Sequence, residues 1–320
     1  MIALLVLREK MKLFYSKFDV YVTALVHFLL GFTTFFWISC TVGFMTKLNN
    51  MVVLLVLALI CSFLPYGVIT IIAGALLLVH VASVSLELAL LLVICMLIVA
   101  ILYYGFQPGD SYLLLLTPIF CYLKIPYAIP LLVGLSGRMV SAVPVGCGTF
   151  LYYVIQYVKQ NAGVLTNDAS DITERFVQIM KSIMSNHVMV VMAASAMVGV
   201  VIVYLIRRLS VDYAWMIAIV VGAIAQLAVI FVGEFVLDVS ISMGQLLGGI
   251  VVSMLIAAVY NFMIFTVDYT RTEYTQFEDD DYYYYVKAVP KMSIAAPDVK
   301  VQKISSTRIK RSGREETAEK

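Results

Sequence analysis

The feature that most constrains this chain is an apolar stretch of 56 residues, 51–106. His80 and Glu87 are its only histidine, acidic or basic residues. A single membrane-spanning helix needs about 20 consecutive apolar residues. Three spans joined by tight turns therefore fit the stretch, and turn-forming residues predict breaks near Pro65 and near Ser85.

Composition extends this conclusion to the whole chain. Of the 320 residues, 62% are hydrophobic and 13% are charged, and the mean hydropathy is +0.97. Soluble domains carry about 25% charged residues. The apolar residues come in long runs without the alternation of a β-barrel, and the net charge of +2 lies in loops and gives no indication of nucleic-acid binding. We therefore expect an all-α, polytopic protein whose helices contact the lipid bilayer.

Apolar segments of sufficient length predict eight spans. Besides the three within 51–106, they are residues 22–41, 139–158, 188–206, 213–232 and 242–266. The chain then divides into an interfacial amphipathic segment at 1–20, a transmembrane domain at 21–266 and a cytoplasmic tail at 267–320. Within the transmembrane domain, residues 159–187 are expected to form an extracytoplasmic loop.

Lysine and arginine residues predict the side of the membrane on which each end lies. They concentrate before the first span, in the C-terminal tail and at Arg207 and Arg208. The opposite connections carry Lys47 alone or the acids Glu234 and Asp238. Because basic flanks are cytoplasmic, both termini are expected inside a cell whose plasma or inner membrane holds the protein. That arrangement requires an even number of crossings.

Residues 112–136 are apolar but contain Lys124, Pro126 and Pro130, which an ordinary spanning helix avoids. A ninth crossing here would place the tail and Arg207 on the wrong side. A segment that enters and returns on one side keeps the count at eight, with arms of about 18 Å each, roughly half of a bilayer. The sequence therefore predicts a re-entrant hairpin that turns near Lys124.

The hairpin and the span after it are rich in prolines, glycines and small polar residues. Broken helices near mid-membrane free backbone groups that can hold an ion or substrate, and an intramembrane charge indicates a functional site. The candidate pathway at 112–149 comprises Lys124, Pro126, Pro130, Ser136, Gly137, Pro144, Gly146 and Gly148. The positive charge in the hairpin favours an anion or a carboxylate as solute. The alternative is that the glycines allow close helix packing, the prolines kink helices and Lys124 extends to the interface.

Enzymatic chemistry has little support in the sequence. Residues 134–137, GLSG, match the GxSG pattern around the nucleophile of rhomboid intramembrane proteases, which also requires a histidine to activate the serine, here Ser136. His27, His80 and His187 lack the sequence context of that family. There is no HExxH or Walker A motif, and the five cysteines show no metal-ligand spacing. We expect no enzyme activity, metal or cofactor, and a separate ATPase subunit stays open as a partner.

Three further segments have more than one interpretation. Residues 1–20 suit either an amphipathic helix in the cytoplasmic interface or an extension of the first span. Residues 172–184 place apolar side chains on one helical face, which suits either a separate amphipathic helix or an extension of the following span. Gly244 and Gly248 form a GxxxG motif, which predicts helix packing within the chain or between copies of a homo-oligomer.

The C-terminal tail contains the unusual segment FEDDDYYYYVKAVPK at 277–291. Tyrosine and valine favour extended structure. The candidate docking residues for a cytosolic partner are Tyr282, Tyr283, Tyr284 and Tyr285, as a strand added to the edge of the partner's sheet. The alternatives are a phosphorylated cluster, or a disordered or interfacial tail whose tyrosines rest at the level of the lipid headgroups.

Two classes of function follow. The first is an integral membrane transport protein or permease subunit with its pathway at 112–149. The second is a membrane scaffold or assembly component that recruits a cytosolic partner through its tail. A water-accessible hairpin would favour the first class, and a co-purifying protein lost on deletion of 277–291 would favour the second.

Overall fold

A computed structural model of the chain describes residues 2–106, 109–165, 172–239, 241–265, 273–278 and 281–288. Within these ranges the chain forms twelve α-helices, one short 3₁₀ helix at Met139–Ser141 and two β-strands. The helices are α1 (Ile2–Lys17), α2 (Asp19–Val42), α3 (Met51–Cys61), α4 (Tyr66–Ala82), α5 (Leu86–Phe106), α6 (Ser111–Tyr122), α7 (Ala128–Ser136), α8 (Ala142–Leu165), α9 (Ile172–Met184), α10 (His187–Arg207), α11 (Ala214–Leu237) and α12 (Met243–Phe265).

Six helical segments of the described chain are long and apolar enough to cross a membrane, and they correspond to α2, α5, α8, α10, α11 and α12. This finding supports the prediction of an α-helical membrane protein. Three more apolar helices, α3, α4 and α6, have only 11, 17 and 12 residues. Uninterrupted long helices therefore account for six of the eight predicted spans.

Both predicted breaks in the apolar stretch 51–106 are confirmed. Helix α3 ends at Cys61 and α4 begins directly after Pro65, whose extended backbone and missing N–H suit the position before a helix. Helix α4 ends at Ala82, and the Ser85 hydroxyl accepts a hydrogen bond from the Leu88 amide at 3.3 Å at the start of α5. Proline and serine thus divide an apolar stretch that hydrophobicity alone would predict to be one continuous segment.

Helix α3 is short, but with its flanking turns it runs along most of α2. Before α3, Asn49 accepts a hydrogen bond from the Ser39 hydroxyl near the end of α2 (2.5 Å). After α3, the Ser62 hydroxyl donates to the Ala24 carbonyl near the start of α2 (2.8 Å). Residues 24 and 39 are about 22 Å apart along a helix axis. The two helices are therefore antiparallel neighbours over that distance.

Helix α4 runs in the opposite direction to α3. Its first residue, Tyr66, lies against His27 of α2, with ring centroids 4.3 Å apart. Near its last turn, His80 Nδ1 accepts a hydrogen bond from the Met45 amide at 3.3 Å, just beyond the end of α2. Helix α4 thus runs beside α2 from His27 to just beyond the end of α2.

Helix α1 is separated from α2 by a break at Phe18. Arg8, on its basic side, is buried and donates from Nε to the Met263 carbonyl at 2.9 Å, near the end of α12. This cation is therefore satisfied partly by a carbonyl oxygen of the protein.

Helix α9 is a separate helix that packs against α5 with Ile179 and Ile183 buried. It ends at Met184, and the Asn186 side chain accepts from the Met189 amide at 3.1 Å to start α10. The alternative that residues 172–184 extend the following span is therefore wrong. An asparagine cap, which the apolar pattern does not show, separates the two helices.

The tail contains a two-stranded antiparallel sheet, β1 (Glu273–Glu278) and β2 (Tyr283–Ala288), which adds to an otherwise helical structure. Phe277 lies opposite Tyr284, with ring centroids 4.9 Å apart. The strands belong to a compact unit distinct from residues 8–266. The predicted extended structure of the tyrosine cluster is confirmed, and its partner strand comes from the same chain.

Candidate functional site

The predicted turn at Lys124 is present between α6 and α7. The Lys124 amide donates to the Cys121 carbonyl (3.1 Å) and the Ile125 amide donates to the Phe120 carbonyl (3.0 Å). This pair of bonds is the Schellman arrangement that ends many helices. Lys124 has φ 63°, the left-handed conformation that glycine adopts with least strain. Lys124 therefore ends α6 through its backbone, and its side chain is exposed.

The two ends of the α6–α7 pair lie together. Asp110, just before α6, accepts a hydrogen bond from the Ser141 hydroxyl at 2.5 Å, and Ser141 follows α7 in the 3₁₀ helix. The same hydroxyl accepts from the Arg138 amide at 3.2 Å. The chain thus enters α6 and leaves α7 at the same end of the helical bundle, which we call the base of the hairpin.

Arg207, the last residue of α10, holds the base end of α7. Its guanidinium donates to the carbonyls of Leu135 and of Gly137, the latter at 2.6 Å. Carbonyls at a helix C-terminus carry partial negative charge, so a cation is stabilised there. The guanidinium carbon also lies 5.0 Å from the Tyr204 ring centroid. The sequence indicated Arg207 only as a cytoplasmic flank, since its target carbonyls lie some seventy residues earlier.

The turn of the hairpin lies within the span of α12. A Cβ placed on Gly249 would lie 3.1 Å from both the Lys124 carbonyl oxygen and the Tyr127 ring. Gly249 is about 9 Å along α12 from Met243 and about 24 Å from Phe265. The turn therefore lies nearer the beginning of α12 than its end. The sequence predicted Gly244 and Gly248 as helix-packing glycines and gave no indication of Gly249.

Aromatic side chains from α2 and α8 group with Tyr122, the last residue of α6. The Trp37 ring lies 6.3 Å from that of Tyr122 and stacks on that of Tyr152 at 6.2 Å. Gln156 Nε2 donates to the Tyr152 hydroxyl at 3.2 Å. The Trp37 indole nitrogen is buried and has no hydrogen-bond partner among the described residues. No sequence spacing could have revealed this group, because only the fold brings three distant helices together.

The prolines differ in their structural effect. Pro130 and Pro144 are each the third residue of a helix, where the missing N–H would have had no partner within the helix. Pro126 lies in the turn. Pro118 lies in the interior of α6, so it cannot donate to the Leu114 carbonyl and interrupts the hydrogen-bond ladder there.

The glycines of the candidate pathway lie at close helix contacts. A Cβ on Gly148 would meet Thr117 Cβ of α6 at 2.7 Å, and a Cβ on Gly146 would meet Met197 Sδ of α10 at 2.8 Å. Ser136 is exposed, and its hydroxyl donates to the Leu132 carbonyl of the same helix at 2.9 Å. Gly137 lies at the base. These contacts match the packing alternative for Gly146 and Gly148.

The eight candidate pathway residues therefore do not converge on one point. Lys124 and Pro126 lie at the turn, whereas Ser136 and Gly137 end α7 at the base. Gly244 and Gly248 face open space, with nothing within 4 Å of a Cβ at either position, so contact between copies stays a prediction.

No protein-family model, no curated protein and no solved structure matches this chain. A function therefore has to be inferred from the hairpin, its base and its turn.

Proposed function

We propose that the chain is an integral membrane transport protein or permease subunit, with the α6–α7 hairpin as part of its pathway. The observation that carries the proposal is the Asp110–Ser141 contact, which brings both ends of the helix pair together while its turn lies beside Gly249. Non-helical backbone at membrane depth is tolerated only against protein or a water-filled cavity. Transporters use such discontinuous helices to hold ions or substrates.

The proposal includes eight crossings, with both termini in the cytoplasm of a cell and the base of the hairpin on the cytoplasmic side. The crossings are α2, α3, α4, α5, α8, α10, α11 and α12. The contacts of α3 and α4 along α2 support two crossings by these shorter helices. The basic residues Arg138 and Arg208 flank the base, whereas Glu234 and Asp238 lie around the opposite end of α11.

At the turn, the transported solute would meet backbone groups and one cation. The N-terminal amides of α7 carry partial positive charge, and the Lys124 side chain is exposed beside them. An anion or a carboxylate is therefore the proposed solute class. Binding and release at such a site require no covalent chemistry, and a separate ATPase subunit stays compatible with it.

Accessibility of the hairpin to an aqueous thiol reagent tests this proposal. Single cysteines would replace residues 116–137 in a chain freed of its five native cysteines, and a membrane-impermeant maleimide would be added to each side separately. We expect Leu123 and Lys124 positions to react from the cytoplasmic side. Leu131 and Leu135, which are fully buried, serve as controls that should not react. Absence of labelling at the turn from either side would contradict an aqueous pathway.

The second candidate function, a scaffold, has its own observation. The described side chains of β1 and β2 are exposed, and within the described part of the chain each strand pairs along one edge only. An isolated two-stranded sheet is marginally stable in water, so pairing with the sheet of a cytosolic partner would stabilise it. Tyr283, Tyr284 and Tyr285 lie on β2, and Tyr282 precedes it.

A proline substitution tests the scaffold proposal. Val286→Pro removes a backbone donor from β2 and should abolish stoichiometric co-purification of a cytosolic protein with the full chain. Val286→Thr, which keeps the backbone donor and a β-branched side chain at the same position, is the control and should retain it. Co-purification that survives Val286→Pro would exclude docking through this sheet.

A further inference from the structure

An elongated cavity of about 360 Å³ lies between α2, α4, α5, α6 and α8. Along α4 it extends from Gly67 to Leu78, which corresponds to about 16 Å of helix. Protein interiors are close-packed, and voids larger than a water molecule are few. A void of this size is therefore a feature of the helical arrangement and exceeds ordinary packing defects.

The cavity lining is apolar and carries no charged side chain among its described residues. The hydroxyls of Thr34 and Thr70 are already used, since they donate to the Leu30 and Tyr66 carbonyls of their own helices at 2.7 and 2.9 Å. Apolar cavities as small as about 150 Å³ stay dry and take up apolar molecules. The chemistry of the lining therefore favours a hydrocarbon over water or an ion.

Trp37 is an exception within this lining. Its side chain is 4% exposed, and its indole N–H has no acceptor among the described residues. A buried unpaired donor costs free energy, about 1–3 kcal/mol. Because Trp37 lines the cavity, its indole emission reports on what the cavity holds.

The cavity opens onto the outer surface of the helical bundle. Ile71 and Tyr104 line it, and each is 63% exposed. In a membrane-spanning bundle, apolar side chains exposed on the outer surface face the bilayer hydrocarbon. A lipid chain therefore has lateral access without passing through water.

We propose that this cavity binds one hydrocarbon chain of a bilayer lipid. The length of about 16 Å, roughly half of the 30 Å hydrocarbon core, suits a single lipid chain. The site is separate from the turn at Lys124, although Leu114 and Pro118 of α6 line it. It does not depend on the proposed transport function.

Intrinsic fluorescence tests the site, because the chain contains only two tryptophans, Trp37 and Trp215. The full chain with Trp215→Phe would be reconstituted in phosphatidylcholine vesicles with brominated or with unmodified acyl chains. Bromine quenches an indole on contact. We expect loss of most of the Trp37 emission in the brominated vesicles, although the side chain is shielded from the bulk lipid.

A cavity-filling variant makes the test specific. A Cβ at Gly74 meets only Met96, at 3.5 Å, so Gly74→Leu can place its side chain in the cavity and should restore the emission. Gly105→Leu on α5, where a Cβ meets nothing within 4 Å and which does not line the cavity, is the matched control and should leave quenching unchanged. Gly67→Leu is a second filling variant, since a Cβ there meets only Ser111 Oγ at 3.9 Å.

Equal Trp37 emission in the two kinds of vesicle would overturn the proposal. Quenching that persists in whichever filling variant elutes as a folded, monodisperse protein would also overturn it. Since no transport is measured, failure here leaves the proposed transport function unaffected, and failure of hairpin labelling leaves this site unaffected.

Discussion

At the scale of single residues, Lys124 shows how a backbone requirement and a charge can coincide. Its φ of 63° places a lysine where helix ends usually have glycine. We predict that Lys124→Gly raises the free energy of unfolding by up to about 1 kcal/mol, because left-handed backbone strains residues with a Cβ. Thermal unfolding of the purified protein in detergent measures this change.

Lys124→Ala is the matched control, because it removes the charge but keeps the strained Cβ. If the charge binds solute, both variants lose solute flux, while only the glycine variant gains stability. Equal stability of the glycine and alanine variants would contradict the backbone role of this position.

Arg207 provides the second prediction at this scale. Arg207→Met removes the donors to the Leu135 and Gly137 carbonyls at the end of α7. Hydrogen bonds to charged groups contribute about 1.5–3 kcal/mol, so we expect a loss of stability in that range. Arg208→Met is the control, since Arg208 is exposed and bonds only to the Tyr204 hydroxyl among the hydrogen bonds of the described chain. Equal losses for both variants would contradict a specific role for Arg207.

These residues differ in what the sequence could reveal. Lys124 and the prolines stand out because they interrupt an apolar pattern, which is a local property. Arg207, Trp37 and Gly249 follow ordinary local patterns, and their partners lie far away in sequence. Only tertiary packing gives them a role, so no inspection of their own segments could have found it.

At the scale of helices, glycines separate into close contacts and open positions. Gly148→Ala would bring a Cβ to 2.7 Å from Thr117 Cβ and 3.2 Å from the Leu113 carbonyl oxygen. We predict that it lowers the free energy of unfolding by about 1–3 kcal/mol through overpacking between α6 and α8. Thermal unfolding in detergent measures the change.

Gly248→Ala supplies the comparison, because nothing lies within 4 Å of a Cβ there. It should gain up to about 1 kcal/mol, since alanine is the better helix former. A Gly148→Ala protein as stable as Gly248→Ala would show that the α6–α8 contact is looser than the structure has it.

The helix boundaries show which signals a sequence carries reliably. The breaks at Pro65 and Ser85 were predictable because turn and capping residues mark them locally. The length of α3 was not predictable. An unbroken apolar pattern does not show that a helix of 11 residues, with one side-chain hydrogen bond to α2 from each flanking turn, extends along most of α2. The strand partner of the tyrosine cluster was missed because β1 has little pattern of its own.

At the scale of the whole transmembrane unit, the arrangement of helix ends is the main support for a re-entrant hairpin. The Asp110–Ser141 bond, the Arg207–Gly137 bond and the Tyr66–Tyr112 contact, with ring centroids 5.8 Å apart, all lie at the base. Basic flanks predicted an even number of crossings, and charge, prolines and arm length together predicted the hairpin. These contacts support the hairpin, whereas the number of crossings stays a prediction. The depth of the turn required the packing of Gly249.

The most direct measurement labels the two ends of the hairpin from each side of the membrane. Gly109→Cys and Arg138→Cys, both at exposed positions, would be made separately in a chain without native cysteines, with Lys47→Cys as the reference for the opposite side. We predict that an impermeant maleimide reaches positions 109 and 138 from the same, cytoplasmic side and position 47 from the other. Labelling of 109 and 138 from opposite sides would show that α6 and α7 together cross the membrane, and would contradict the account.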